Sequence, residues 1–107
     1  MTVVVEPEAQ REWNQAVDWY EAAGPGLGLR FNSAIWEVIG SLRTQPDRFR
    51  LSGRLNRKAK VQGWPYSVFF VVNPAQQEVK VIAVWQKLPV WLTKLIGPEI
   101  VRKIEPS

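Results

Sequence analysis

The sequence predicts an α+β fold in which an antiparallel helical hairpin packs on a small, mainly antiparallel sheet. The expected order is β-α-α-β-β-β, with a short C-terminal helix. Apolar residues recur at helical spacing as far as Leu42, and after a polar connection over 47–53 the apolar period changes to two. Gly-Pro and Asn-Pro pairs separate the segments. The 107 residues suit one domain, 1–107.

The first part of the chain predicts a strand and two helices. The β-branched run over 2–5 favours an edge strand, and Pro7 suits the first turn of a helix. Gly24-Pro25 should end that helix, and a second should end before Pro46. Their apolar stripes are Ala9, Trp13, Ala16, Val17 and Tyr20, then Leu27, Phe31, Ala34, Ile35, Val38, Ile39 and Leu42.

The second part predicts three consecutive strands. Ala59 and Val61 alternate with Lys58 and Lys60, as on a strand with one wet face. The run SVFFVV over 67–72 predicts a central strand buried on both faces, and 79–85 predicts its partner, with the more polar face of the sheet holding the basic residues. A short helix is expected from Pro89, followed over 97–107 by one more amphipathic turn or a docking tail.

Composition excludes several functional classes. The chain has no cysteine and no histidine, which excludes disulfides, a thiolate nucleophile, Cys-based metal sites and histidine acid–base catalysis. We therefore expect no metal and no cofactor. The N-terminus does not resemble a signal peptide, and no apolar run approaches the roughly 20 residues that span a bilayer. These features predict a cytoplasmic protein without a membrane partner.

Charge is distributed unevenly along the chain. Residues 1–42 contain two basic and six acidic residues, a net charge of −4, whereas residues 43–107 contain twelve basic and four acidic ones, a net charge of +8. Such a basic half attracts phosphates or acidic peptides. A solvated rim that keeps the protein soluble is the equally weighted alternative.

Seven basic residues form the predicted phosphate- or acidic-partner-binding set. They are Arg50, Arg54, Arg57, Lys58, Lys60, Lys80 and Lys87. On a concave sheet these cations could hold RNA phosphates or stabilise metal-independent cleavage by a 2′-hydroxyl. The catalytic candidates for that chemistry are Lys58, Lys60, Tyr66 and Lys87, although a tyrosine directly after a proline is more often a packing residue.

Other aromatic and acidic residues have simpler interpretations. The Trp64-Pro65-Tyr66 step could stack nucleobases, but Trp64 capping the sheet is twice as favoured. Trp19 and Trp36 lie off the two helical stripes and either cover a rim of the hairpin or mark a partner surface. Glu8 and Glu12 are expected on an exposed helix face, where they serve solvation.

Five segments in order resemble the RelE/ParE superfamily, the toxins of bacterial toxin–antitoxin pairs, often labelled plasmid stabilisation proteins. EWNQAVDWYE resembles the first helix of that family, PGLGLRF its hairpin turn, and QPDRF the end of its second helix. RKAKVQGWPYSVFFVV resembles its F-P-Y step and hydrophobic strand, with Trp64 where Phe is usual. VKVIAVWQKLPVW resembles its last strand, with Gln86 where His is frequent and Leu88 or its neighbour where Arg is usual.

The resemblance implies a toxin that an acidic antitoxin neutralises by wrapping it with a helix and a strand. Because the last strand departs from the basic set of RelE-like ribonucleases, the ParE-like branch is the better match, and it implies binding to a target such as DNA gyrase without a catalytic centre. A RelE-like ribosome-dependent mRNA endonuclease and a degenerate non-toxic member are the alternatives. Enzymatic activity stays open, as does the choice between a homodimer and a hetero-oligomer with the antitoxin.

Overall fold

The computed structural model describes residues 1–53 and 55–86 and has the predicted α+β architecture. Four strands, β1 (Thr2–Val5), β2 (Arg57–Lys60), β3 (Tyr66–Asn73) and β4 (Glu78–Gln86), and two helices, α1 (Pro7–Ala23) and α2 (Leu27–Thr44), follow the order β1-α1-α2-β2-β3-β4. Short 3-10 helices lie at Pro46–Arg48 and Pro74–Gln76. The C-terminal helix expected from Pro89 and the tail over 97–107 lie outside the described residues.

The four strands form one mixed sheet with the order β1-β4-β3-β2. The two chain-adjacent pairs, β2 with β3 and β3 with β4, are antiparallel, as predicted. β1 joins the other edge of β4 in parallel and reaches only to the Val5–Val81 pair. Beyond Val81, no strand among residues 1–53 and 55–86 pairs with this edge of β4. The register between β3 and β4 shifts at this point: Phe69 pairs with Ala83 and Phe70 with Val81, which leaves Ile82 as the extra residue of a β-bulge.

The helical hairpin covers one face of this sheet and forms the core with it. The core residues follow the predicted stripes along the helices and alternate along the strands. The helical period of 3.6 residues and the strand period of two therefore both point apolar side chains into the same interface. The members of the core that are fully buried are Ala9, Phe31, Ile35, Leu42, Ala59, Val61, Val68, Phe70, Val79 and Val81. In the rim of this core, the Trp13 indole N–H donates a hydrogen bond to Asn32 Oδ1 at 2.8 Å.

The other face of the sheet differs from the expectation. We predicted that β3 would be buried on both faces and that the second face of the sheet would be polar. Ser67 is indeed buried, but Phe69 and Val71 are only half-buried, and Ile82 is 37% exposed. The reason is that both helices pack on the opposite face. This outer face therefore has an apolar centre with charged residues beside it.

The turn between the helices depends on two glycines and one carboxylate. Gly26 has φ of 84°, a left-handed conformation that favours glycine. The Glu21 carboxylate accepts hydrogen bonds from the backbone N–H groups of Gly26 at 3.1 Å and Gly28 at 3.0 Å, and so caps the start of α2 from α1. A Cβ atom at Gly28 would lie 2.7 Å from the Val17 carbonyl oxygen, so only glycine permits this approach of the helices.

Replacing Gly28 by alanine should therefore destabilise the protein by about 1–3 kcal/mol, because the added methyl group meets backbone. Gly40 is the matched control: it lies in the same helix, and a Cβ atom there meets nothing within 4 Å. Gly40→Ala should raise the free energy of unfolding by up to about 1 kcal/mol. Urea denaturation of both variants tests this, and equal effects at the two sites would contradict the close-approach role of Gly28.

Candidate functional site

Lys58 and Lys60 lie on β2, at one edge of the sheet. They pair with Phe69 and Ser67 of β3, and the alternation along β2 assigns them to the face opposite the buried Ala59. Lys58 is half-buried and Lys60 is exposed. Lys60 also borders a hollow of about 140 Å³ between β2, Arg48 and α2. Two cations therefore stand beside the apolar centre of the outer face.

Arg57 belongs to the same strand but has a structural role. Its Nη1 donates to the Phe49 carbonyl oxygen at 2.6 Å and to the Asp47 carbonyl oxygen at 3.3 Å. Its Nη2 lies 4.0 Å from Asp47 Oδ1. These bonds fasten the 3-10 helix after α2 to the edge strand, because a planar guanidinium can reach several acceptors at once. The predicted anion-binding role of Arg57 thus competes with contacts inside the protein.

Lys80 lies on the same outer face, but two strands away from Lys58. It pairs with Val4 on one side and Val71 on the other, and its ammonium lies 3.4 Å from Glu6 Oε1. Since neighbouring strands are about 4.8 Å apart, the two lysines flank the apolar centre from opposite sides and do not converge on one point. The ion pair is solvent-exposed and leaves Lys80 accessible to a partner.

The other predicted cations are placed as follows. Arg50 is exposed, and its carbonyl oxygen accepts the Lys58 N–H at 3.2 Å, which puts it beside β2. Arg54 and Lys87 lie outside the described residues. Of the seven predicted cations, the structure thus places three lysines on the outer face, Arg57 in β2 and Arg50 beside β2.

Tyr66 lies on the helix side of the sheet. Its ring centroid is 5.0 Å from that of Phe31 and 6.1 Å from that of Tyr20, in edge-on contacts. Burial, with a smaller effect of Tyr20, raises the pKa of Tyr66 above its ordinary value. Because Lys58 and Lys60 occupy the other face, the structure does not bring these three catalytic candidates together. The aromatic contacts of Tyr66 agree with the alternative given in the sequence analysis, in which this tyrosine is a packing residue.

Trp64 belongs to the same aromatic cluster. Its ring lies 4.7 Å from Tyr20 and 5.2 Å from Phe31, centroid to centroid. Half-buried in this way, it covers the end of the core, as the simpler interpretation predicted, and does not offer a free face for nucleobases. Trp19 and Trp36 do lie off the core, with 65% and 52% of their surface exposed.

A groove that the sequence did not predict lies between α1 and the end of β4, where β1 has already ended. Its volume is about 450 Å³, and its described lining includes Glu12, Trp19, Tyr66 and Trp85. Glu12 Oε1 accepts the Val84 N–H at 3.0 Å and so gives this backbone donor of β4 a hydrogen-bond partner beyond the end of β1. Burial raises the pKa of Glu12, while the hydrogen bonds from Val84 and the Trp85 side chain partly offset that rise.

The expectation that Glu12 lies on an exposed, solvating face was therefore wrong. Glu12 is half-buried because α1 packs against the open end of β4. A sequence signal for this existed: Glu12 stands three residues after Ala9 and four before Ala16, and both of these are buried stripe positions. Glu8, one turn earlier, is exposed, as expected.

Two features were not found in the part of the chain that the structure describes. No group of three or more acidic residues there could hold a metal ion. No helix among residues 1–53 and 55–86 is long and apolar enough to cross a membrane.

One protein family and two solved structures are similar to this chain, and all three are toxins or toxin–antitoxin systems. The family described as the ParE toxin of the type II toxin–antitoxin system, parDE, matches residues 3–88. A solved structure described as a chromosomal ParDE toxin–antitoxin system from P. aeruginosa is 18% identical, covers 82% of this chain and 97% of its own, and has a TM-score of 0.71. The structure of the isolated E. coli RelE toxin is 16% identical, covers 89% of this chain and 94% of its own, and has a TM-score of 0.64. Among curated proteins, no match was found.

Arg57→Ala should lower the free energy of unfolding by about 1–2 kcal/mol, because it leaves the Phe49 and Asp47 carbonyl oxygens without a charged donor. Lys60→Ala, three residues along the same strand and exposed, is the control and should change it by less than about 0.5 kcal/mol. Urea denaturation midpoints check both values. Equal stability of the two variants would refute the structural role of Arg57.

Glu12 should also make stability depend on pH. Its pKa is raised in the folded protein, so its favourable contribution is complete below the ordinary value of 4.5 and is lost as pH rises through the raised value. Glu12→Gln should therefore gain stability relative to the unsubstituted protein across that window. Urea denaturation from pH 4 to pH 7 measures the difference, and a constant difference would contradict the assigned burial.

Proposed function

The chain belongs to the ParE toxin family of type II toxin–antitoxin systems, and we propose that it acts by binding a cellular target, DNA gyrase being the expected one, and that a cognate acidic antitoxin neutralises it. The toxin assignment rests on the family match over residues 3–88. The target, the antitoxin and the non-catalytic mode are the proposal. A cytoplasmic location would follow from such partners.

The observation that supports binding over catalysis is the separation of the catalytic candidates. Cleavage of RNA by attack of a 2′-hydroxyl on the adjacent phosphate needs an acid and a base within hydrogen-bond reach of the reacting groups. Lys58 and Lys60 belong to the outer face at the β2 edge, whereas Tyr66 packs against Phe31 on the helix side. Gln86, at the position where RelE-like relatives often have His, pairs with Tyr66 and adds no titratable group.

The outer face is suited to an acidic, amphipathic segment of the antitoxin. Its centre offers Phe69, Val71 and Ile82, which are half-buried or exposed and can take apolar side chains. Lys58 and Lys80 stand on either side of that centre and can meet carboxylates. Apolar contact would supply most of the affinity, and the lysines would supply orientation and association rate.

Expression of the chain without its antitoxin should arrest bacterial growth, and the purified protein should inhibit DNA supercoiling by gyrase. Total RNA mapped by primer extension should show no new ends, because no cleavage takes place. Co-expression of the cognate antitoxin should restore growth. New codon-phased RNA ends would instead identify the RelE-like endonuclease, and normal growth with soluble protein would identify a degenerate, non-toxic member of the fold.

Reversing two charges on the outer face should weaken antitoxin binding about tenfold or more at low salt. The test variant is Lys58→Glu with Lys60→Glu, and the control is Arg11→Glu with Arg30→Glu, which makes the same change in net charge on the exposed helix surfaces. Titration calorimetry with the antitoxin measures both affinities, and the difference should shrink in 0.5 M salt as screening increases. Equal loss in the two variants would point to net charge alone and contradict this docking face.

A further inference from the structure

The groove beside α1 has a chemistry distinct from that of the outer face. Val84, Trp85 and Gln86 at the end of β4 form one side, and Glu12 and Trp19 of α1 form the other. β1 does not extend along this part of β4, so the groove opens at the edge of the sheet opposite to β2. Strand β3, whose Tyr66 also lines the groove, lies between the groove and the lysines of β2.

Glu12 gives the groove a negative charge that has acceptor capacity to spare. It accepts hydrogen bonds from the Val84 N–H and the Trp85 side chain, and an ionised carboxylate offers roughly four lone-pair sites in all. Glu12 has no ion-pair partner in the described part of the chain. The half-buried setting strengthens its attraction for a cation, because water screens the charge less than at an exposed position.

Three aromatic rings border the same space. Trp19 is 65% exposed and contacts Tyr20 edge-on at 5.1 Å, while Tyr66 and Trp85 are half-buried. Aromatic faces next to a carboxylate are a common environment for an ammonium or guanidinium group, since the ring quadrupoles and the charge attract the same ion. The alkyl stem of the cation can lie against Val84 and Ala16, which also line the groove.

We propose that this groove binds the cationic side chain of an arginine or lysine of a protein partner. The charge complementarity extends to its surroundings, since residues 1–42, which include α1, carry a net charge of −4. A partner recognised here would present a basic residue, in contrast to the acidic segment expected on the outer face. The groove could bind such a side chain whether or not the chain arrests growth, so failure of the toxin proposal would leave it standing.

The test uses the full chain with ¹⁵N-labelled tryptophan and the peptide acetyl-Gly-Arg-Gly-amide as the probe. Saturable shifts of the Trp19 and Trp85 indole signals should give a dissociation constant on the order of 1 mM, a scale suited to one side chain. The same peptide with citrulline, which keeps the shape and lacks the charge, should bind at least about fivefold more weakly. Equal binding of the two peptides would overturn the proposal.

Two substitutions locate the effect. Glu12→Gln and Trp19→Ala should each weaken arginine-peptide binding by at least about fivefold, while Glu8→Gln, which removes the same charge one turn away, should leave it within about twofold. Equal losses in Glu12→Gln and Glu8→Gln would indicate a general field effect and overturn the assignment. If the arginine peptide binds only to the Lys87→Gln variant, the groove belongs to the chain's own lysine. That result would also overturn the proposal that it binds a side chain of a partner.

Discussion

The packing of the α1–α2 hairpin on one face of the sheet determines on which face the charged residues of the described strands lie. Because side chains alternate along a strand, covering one face fixes which residues of β2, β3 and β4 enter the core and which face outward. The close approach at Gly28 and the cap from Glu21 hold the two helices together as one layer. Tyr66 and Lys58 are therefore separated by the same constraint that buries Val68 and Ala59.

Most of the fold could be predicted from local signals in the sequence. Gly24-Pro25 and Pro46 bound the helices, and the change of period near Ala59 marks the strands, because backbone sterics and alternation act within a few residues. The parallel pairing of β1 with β4 could not be predicted in this way. It joins residues more than seventy positions apart, and the pattern of β1 shows only that it suits an edge.

The site was harder to predict than the fold, for an equally physical reason. A basic residue looks the same in sequence whether its partner is a ligand or its own chain. Arg57 is held by Asp47 and Phe49, a contact created by the turn after α2, and Glu12 is held by Val84 across the sheet edge. Lys58, Lys60 and Lys80 were assigned to the correct strands, but the apolar centre around Phe69 that separates them depends on which face the helices leave open.

The separation of charge in the sequence becomes a separation in space, and this favours a protein that binds two unlike partners. The acidic first part of the chain forms the helical layer and one side of the groove at Glu12, whereas the lysines of the second part stand on the outer face. At physiological ionic strength, fields between exposed charges fade over about 8 Å, so each surface attracts its partner mainly through the charges nearest to it. An acidic segment on the outer face would therefore leave the groove at Glu12 accessible, and a basic side chain in the groove would leave the lysines free to meet carboxylates.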